Sequence, residues 1–270
     1  MPLPFILGAA AIIAGTAGVG KGIGGAVKMK EAKDTSESAQ CRHEQNMERF
    51  NKTRDETERA MDEVGKLELD ILNSFEAFSD TIEKIQGRPK FKKNSKDKAE
   101  IPDLNLKELK MSSITTGKLI FEAIISTSGL LGCIIASASI KNFSKQAEEA
   151  WSQMIEAEKQ IDESCKYLND LREAAGKYKS SLTMVYDKYK EIFAIVSDTV
   201  NVNNKIYWKD FTQAEKTATQ NSVMLVALLY KMCQVKLVKT SEEKGKENTV
   251  NHEEINGAIV DSYKVMAKVG

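Results

Sequence analysis

Residues 47–85 read MERFNKTRDETERAMDEVGKLELDILNSFEAFSDTIEKI, and this stretch decides the fold. Apolar side chains return in it at intervals that alternate between three and four residues. They are Met47, Phe50, Thr57, Met61, Val64, Ile71, Phe75, Phe78, Ile82 and Ile85, with lapses at Arg54 and Glu68. A sustained three-four repeat buries one narrow stripe of a helix, as in a coiled coil. The stretch therefore predicts one long helix over residues 30–86, roughly 80 Å in length.

A second stripe of the same kind runs from Phe143 to about Val196. Its members are Ala147, Trp151, Met154, Ile161, Cys165, Leu168, Ala175, Leu182, Val185, Tyr189, Ile192 and Val196. The sequence NVNN at 201–204 ends this helix, and a third helix is expected at about 207–238. Residues 239–254 are polar and predicted to be mobile, and a short helix from Glu253 to Lys268 closes the chain.

Two stripes of similar length, joined through an apolar segment, most simply pack antiparallel. The predicted fold class is all-α: an elongated antiparallel coiled-coil helical bundle with a glycine-rich apolar N-terminal helix. The expected boundaries are 1–29 for the N-terminal helix, 30–86 for the long helix, 87–118 for a basic linker, 119–140 for an apolar helix or hairpin, 141–238 for a helical bundle and 239–270 for a polar tail with a short helix.

The N-terminal segment LPFILGAAAIIAGTAGVG, residues 3–20, carries no charge before Lys21. A membrane span needs about 20 mainly apolar residues, so the segment is long enough if Lys21 is tolerated. It is a poor secretory signal, because no basic region precedes the apolar core. Lysines cluster behind the segment, which favours an outside N-terminus with the rest of the chain in the cytoplasm.

Small residues form a ridge on this N-terminal helix. Its members are Ala10, Ala14, Gly15, Gly18, Gly22 and Ala26. Such a ridge lets helix backbones approach closely in lipid, where packing and not the hydrophobic effect drives association. Two other interpretations remain open. The helix is buried in its own bundle, or GTAGVGKG at 15–22 is a phosphate loop, although Gly22 stands where such a loop carries Ser or Thr.

The second apolar segment, residues 119–140, contains Glu122 as its only charged residue. A buried helix or a hairpin that turns at Gly129 to Gly132 is one interpretation, and a second membrane-inserting element is the other. A full second span would place the C-terminal half outside, which the positive-inside bias disfavours. We therefore expect one true span, with residues 119–140 packed or touching the membrane.

A basic cluster occupies the predicted linker. Its members are Arg88, Lys90, Lys92, Lys93, Lys96 and Lys98, with Phe91 among them. A solvated loop is the plain interpretation, and the functional one is a site for anionic lipid or for a phosphate-bearing ligand, including a nucleotide or oligonucleotide regulator.

The bulk composition limits the functional classes. The chain of 270 residues has 39 basic and 39 acidic residues, a balance that argues against a general nucleic-acid binder. Its two histidines lie in polar stretches with no catalytic pairing, so we expect no enzyme, no metal and no cofactor. The cysteines, Cys41, Cys133, Cys165 and Cys233, lack zinc spacing and predict reduced core thiols in a reducing compartment.

The opening MPLPFILG, followed by GVGKGIGGAVK and a long polar helix, resembles a group of uncharacterised bacterial proteins with glycine-zipper N-termini. The resemblance covers about the first 35 residues, and the larger members differ in having a long middle segment rich in Gly and Ala. The build is also similar to Hailong-type membrane effectors of anti-phage defence. That similarity implies a helical oligomer that conceals apolar helices until a nucleotide-derived signal changes. Secreted pore-forming toxins of the cytolysin A type share the layout.

These observations predict a homo-oligomeric protein at the bacterial inner membrane, with a cytoplasmic body. The expected function is a channel or pore formed through the N-terminal helix and held in check by the body. The alternative is a membrane-tethered coiled-coil scaffold without pore activity.

Overall fold

A computed structural model of the chain describes residues 23–89, 143–239 and 248–269. Four α-helices lie in these ranges, and they are α1 (Ile23–Glu83), α2 (Phe143–Ser197), α3 (Gln213–Met232) and α4 (His252–Val269). The fold is mostly helical, which confirms the all-α prediction at the level of class. The predicted N-terminal helix lies outside the described residues up to position 22, and α1 runs through the expected boundary between residues 29 and 30 without a break.

Short elements connect and follow these helices. A π-helical turn, Asp198–Val202, extends α2, and a 3-10 turn, Trp208–Asp210, precedes α3. Strand β1 (Val238–Lys239) pairs antiparallel with strand β2 (Thr249–Val250). The paired strands correct the prediction of mobility at residue 239 and over residues 248–254, because Val250 and Asn251 are buried. The rest of the predicted mobile stretch, residues 240–247, lies outside the described ranges.

The described chain forms two compact units, and α1 and α2 contribute to both. The first unit takes α1 up to Glu56 and α2 up to Asn169. The second unit takes the rest of both helices together with α3, α4 and the strand pair. Each unit has its own buried stripe between α1 and α2.

In the first unit, α1 and α2 run in the same direction. Arg42 Nη2 lies 2.8 Å from a Glu158 carboxylate oxygen, and Arg49, further along α1, pairs with Asp162, further along α2. Phe50 packs with Ile161 and Cys165 beneath these ion pairs. Because the residue numbers rise together on both helices, their packing is parallel.

The second unit has the same direction and nearly the same register. Lys179 Nζ lies 2.7 Å from Glu63 Oε2, and Tyr186 donates to the Asp70 carbonyl at 3.4 Å. Near the ends of the helices, Lys84 Nζ donates to Asn201 Oδ1 at 2.7 Å. The partners are separated by 116, 116 and 117 positions along the chain.

The predicted antiparallel packing of the two long helices is therefore wrong within each unit. Helices joined by a short loop pack antiparallel, because a few residues cannot carry the chain back along a helix. Residues 84–142 connect these two helices, and a connection of that length permits the parallel arrangement.

The buried stripes agree closely with the residues predicted for them. On α1, every predicted member from Phe50 to Ile82 is buried, as is Ile85 just beyond the helix, while Met47 is half-buried. At the first lapse, the buried side chain of the stripe is Thr53 and not Arg54. At the second lapse, the Glu68 side chain itself is buried. Cys165 and Cys233 are free buried thiols as expected, but Cys41 is exposed, so its assignment to the core is wrong.

Helix ends follow local chemistry. Beyond α1, Gly87 adopts φ +68°, a left-handed conformation that glycine accepts without strain, and Pro89 follows. The start of α3 is fixed by a capping box, in which Glu215 N–H donates to Thr212 Oγ1 and Thr212 N–H donates to Glu215 Oε2. For this reason α3 begins at Gln213, six residues later than the sequence pattern predicts.

None of the helices in the described ranges is long and apolar enough to cross a membrane. Residues 3–20 and 119–140, for which membrane contact is expected, lie outside those ranges.

The aromatic packing in the second unit yields a stability prediction. Phe78 is fully buried, with its ring centroid 6.2 Å from that of Tyr189 and 5.7 Å from that of Phe193. Phe78→Ala should lower the free energy of unfolding by about 3–5 kcal/mol, because it removes the ring and leaves a cavity. Denaturant titration measures the change. Leu69→Ala, on the same helix at 45% exposure, should cost about 1 kcal/mol or less, and equal effects of the two variants would contradict the packing.

Candidate functional site

The parallel register determines where the two apolar segments are attached to the body. Residues 3–20 lead into the start of α1 at Ile23, and residues 119–140 lead into the start of α2 at Phe143. Arg42 and Glu158, which contact each other in the first unit, are 116 positions apart along the chain. With the same offset, Phe143 at the start of α2 lies level with about residue 27 of α1. Both apolar segments therefore join the first unit at the same end.

Most of the predicted ridge lies outside the described residues. This applies to Ala10, Ala14, Gly15, Gly18 and Gly22, and to the whole of the phosphate-loop match at 15–22. Ala26 lies in the first turns of α1, and its backbone is helical. The ridge as a packing surface stays a prediction.

The basic cluster is described at its first member. Arg88 is half-buried five residues beyond the end of α1, whereas Lys90, Lys92, Lys93, Lys96 and Lys98 lie outside the described residues. Just before Arg88, the Gln86 backbone is held between two groups of the loop that precedes α3. Gln86 N–H donates to the Ile206 carbonyl at 2.7 Å, and Trp208 N–H donates to the Gln86 carbonyl at 2.9 Å. This parallel bridge fixes where the basic segment leaves the second unit.

The bridge places the backbone two residues before Arg88 beside a turn that carries aromatic and basic side chains. Lys209 Nζ lies 5.7 Å from the ring centroid of Tyr207, and Lys216 Nζ lies 6.0 Å from that of Trp208. Tyr207 is 47% exposed. Trp208 packs on the buried ring of Phe211, at a centroid distance of 5.4 Å, which anchors the turn to the core. We call Arg88, Tyr207, Trp208, Lys209 and Lys216 the aromatic–basic surface.

The nearby acidic groups do not neutralise this surface. Glu215 forms an ion pair with Lys205, whose Nζ lies 2.7 Å from Glu215 Oε1. The Lys205 hydrogen bond, with that of the Thr212 backbone, lowers the pKa of Glu215. Among the described residues, Lys209 and Lys216 take part in no ion pair, and Asp210 is the neighbouring acid. The surface therefore keeps a surplus of positive charge.

This combination of groups suits an anionic surface that has an apolar interior. Lysine attracts anionic headgroups at about 1 kcal/mol per residue near a membrane surface. Tyrosine and tryptophan side chains have an apolar ring and a polar edge, and they collect at the headgroup level of membranes. Sequence reasoning missed Tyr207, Trp208, Lys209 and Lys216, although the string KIYWKDF at 205–211 places two adjacent aromatic residues between two lysines.

Within the described ranges, no three His, Cys, Asp or Glu side chains are close enough together to hold a metal ion. His252 Nε2 lies 2.9 Å from Asp170 Oδ2, and both side chains are about half exposed. This pair ties the start of α4 to α2 inside the second unit.

No family model, curated protein sequence or solved structure matches the chain.

The aromatic–basic surface predicts a charge-dependent interaction. Lys209→Glu with Lys216→Glu should weaken binding to vesicles that contain phosphatidylserine by about tenfold or more, while binding to zwitterionic vesicles stays unchanged. Vesicle co-sedimentation at low salt measures both. Lys177→Glu with Lys264→Glu makes the same change in net charge at exposed lysines elsewhere in the second unit. If that control loses as much binding, the interaction depends on total charge and not on this surface.

Proposed function

We propose that the protein is a membrane-active effector whose two apolar segments act at one membrane, with the helical body on one side of it. The observation that carries the proposal is the parallel register of α1 and α2 in the first unit. The apolar N-terminus and residues 119–140 join the body at the same end, so both meet the same bilayer face. An antiparallel pair would have separated the attachment points by the length of the helices.

The packing of the two long helices also restricts the topology. Phe50 on α1 contacts Ile161 on α2, so both helices occupy the same side of any membrane. The chain between Glu83 and Phe143 must therefore cross a bilayer an even number of times or not at all. A crossing by residues 119–140 with no second crossing elsewhere in this connection is incompatible with this contact. A hairpin that enters and leaves on one side, or a segment packed against the body, satisfies it.

The glycine-rich N-terminus is proposed as the element that crosses the bilayer and forms the channel or pore. Its small residues at intervals of four allow close contact between helices from several copies, which requires a homo-oligomer. The body holds the N-terminus in check in the resting state. The proposed location is the bacterial inner membrane with a cytoplasmic body, in keeping with the buried free thiols of Cys165 and Cys233.

The aromatic–basic surface supports a second contact with an anionic partner. Anionic lipid is the partner we propose, because exposed Tyr207 and half-buried Trp208 stand beside lysines that pair with no acid among the described residues. A nucleotide or oligonucleotide regulator is the other candidate for the wider basic cluster that begins at Arg88. An oligonucleotide that competes with anionic vesicles for wild-type protein would favour that regulator.

A membrane-tethered scaffold is the alternative function. It shares the membrane contact and the helical body but passes no ions. Leakage of a dye from vesicles, or loss of membrane potential on expression, separates the two functions.

The ridge provides the direct test of the pore. Gly18→Leu with Gly22→Leu should abolish dye leakage and toxicity while the protein still binds vesicles. Leucine at these positions keeps helix propensity and apolarity high but holds neighbouring backbones apart. The loss would therefore report failed association of helices and not failed insertion.

Two controls accompany this test. The first control, Ile12→Leu with Ile13→Leu, changes two residues off the ridge and should remain active. The second control, deletion of residues 2–27, should remove dye leakage altogether. Dye leakage at the wild-type level by the variant with leucine at positions 18 and 22 would disprove close packing as the mechanism. Full toxicity of the truncated protein would show that the N-terminus is not the element that permeabilises the membrane.

A further inference from the structure

Glu68 is a carboxyl group inside the core of the second unit. It lies on α1 in the stripe that faces α2, between Val64 and Ile71, and is 4% exposed. In the sequence it is a lapse in the three-four repeat, where an apolar residue is expected. The helix does not turn it out to solvent, because its neighbours in the repeat, three or four residues away on the same face, are both buried.

The groups that face Glu68 offer its charge no compensation. On α2, Tyr178 is fully buried, and its hydroxyl donates its one proton to the Met232 carbonyl. After α3, Cys233 is a buried thiol, and its backbone N–H donates to the Leu229 carbonyl at 2.8 Å. In the part of the chain that the structure describes, no hydrogen bond or ion pair reaches the Glu68 carboxyl.

Electrostatics agrees with this geometry. Burial raises the pKa of Glu68 from its usual value of 4.5 to about 8. Burial first, and then the charge of Glu68, raise the pKa values of the Tyr178 hydroxyl and the Cys233 thiol. All three groups are therefore most stable in their neutral forms, and Glu68 is the one that loses its proton near physiological pH.

We propose that Glu68 is a protonation switch in the second unit: the neutral carboxyl packs in the core shared by α1, α2 and the end of α3, and its ionisation opens that core. An ionised carboxylate without a donor is far more costly to bury than a neutral acid, and opening the core gives it full hydration. This switch is a property of the second unit and stands independently of the proposed membrane activity.

The direction of the pH effect follows from linkage. The folded unit binds the Glu68 proton more tightly than the unfolded chain does, so the contribution of this group to stability is fully present below pH 4.5. It declines as the pH rises and is lost as the pH passes about 8. Between these values, one proton released per opening increases the opening constant by up to tenfold per pH unit.

Cys233 provides a local readout of opening. Its thiol is buried, so a reagent reaches it only when the core around Glu68 opens, whereas Cys41 is exposed and supplies the reference labelling rate in the same protein. Labelling of full-length protein with 4,4′-dithiodipyridine between pH 5 and 9, quantified by mass spectrometry for each cysteine, gives the ratio of Cys233 to Cys41 labelling rates. The comparison is made between wild type and Glu68→Gln, which keeps the shape of the neutral acid and cannot ionise.

The wild-type ratio should exceed that of Glu68→Gln by no more than about fivefold at pH 5, and the excess should grow by a further tenfold or more by pH 8. Glu63→Gln is the matched control, because Glu63 lies on the same helix, exposed and paired with Lys179, and its pKa is lowered. That variant should follow the wild-type curve. Thermal unfolding of the same proteins gives an independent readout, in which Glu68→Gln loses less stability than wild type from pH 5 to pH 8. Parallel curves for wild type and Glu68→Gln in both measurements would overturn the proposal.

Discussion

The parallel contact between α1 and α2 is the constraint on which the remaining features of this structure depend. An offset close to 116 residues recurs from the Arg42–Glu158 pair in the first unit to the Lys84–Asn201 hydrogen bond in the second. Apolar stripes supply the stability, since fully burying a side chain such as Phe or Ile contributes about 1.5–3 kcal/mol. The surface ion pairs, each worth about 1 kcal/mol or less, supply direction and register more than energy.

The parallel direction in which α1 and α2 pack has functional consequences that do not follow from the buried stripes alone. It gathers the attachment points of both apolar segments at one end of the first unit, and it keeps α1 and α2 on one side of any bilayer. In the second unit, the chain just beyond α1 pairs at Gln86 with the loop before α3, and this pairing fixes the origin of the basic segment. A polar residue in the stripe, Glu68, makes the same contact sensitive to protonation.

The sequence predicted the periodic features well because periodicity is a local property. The members of both stripes, the start of α2 at Phe143 and the buried state of Cys165 and Cys233 all follow from spacing and apolarity. Other features depend on contacts between distant segments. The direction of packing depends on how residues 84–142 connect the helices, and the aromatic–basic surface depends on pairing between Gln86 and Tyr207. Strands of two residues, such as Val238–Lys239, are too short to show an alternating pattern. The capping box at Thr212 and Glu215 was visible in the sequence and would have corrected the start of α3.

Distances between spin labels test the parallel contact most directly. In a cysteine-free background, labels replace the exposed side chains of Glu37 and Gln153 in one protein and of Glu48 and Glu163 in another, all in the first unit. Helices in contact lie about 8–10 Å apart, so pulsed electron paramagnetic resonance should give a short distance, below about 30 Å, for both pairs. An antiparallel pair that kept Phe50 opposite Ile161 would keep the second distance short but shift Glu37 from Gln153 by about 30 Å along the helix axis. One short and one long distance would contradict the account.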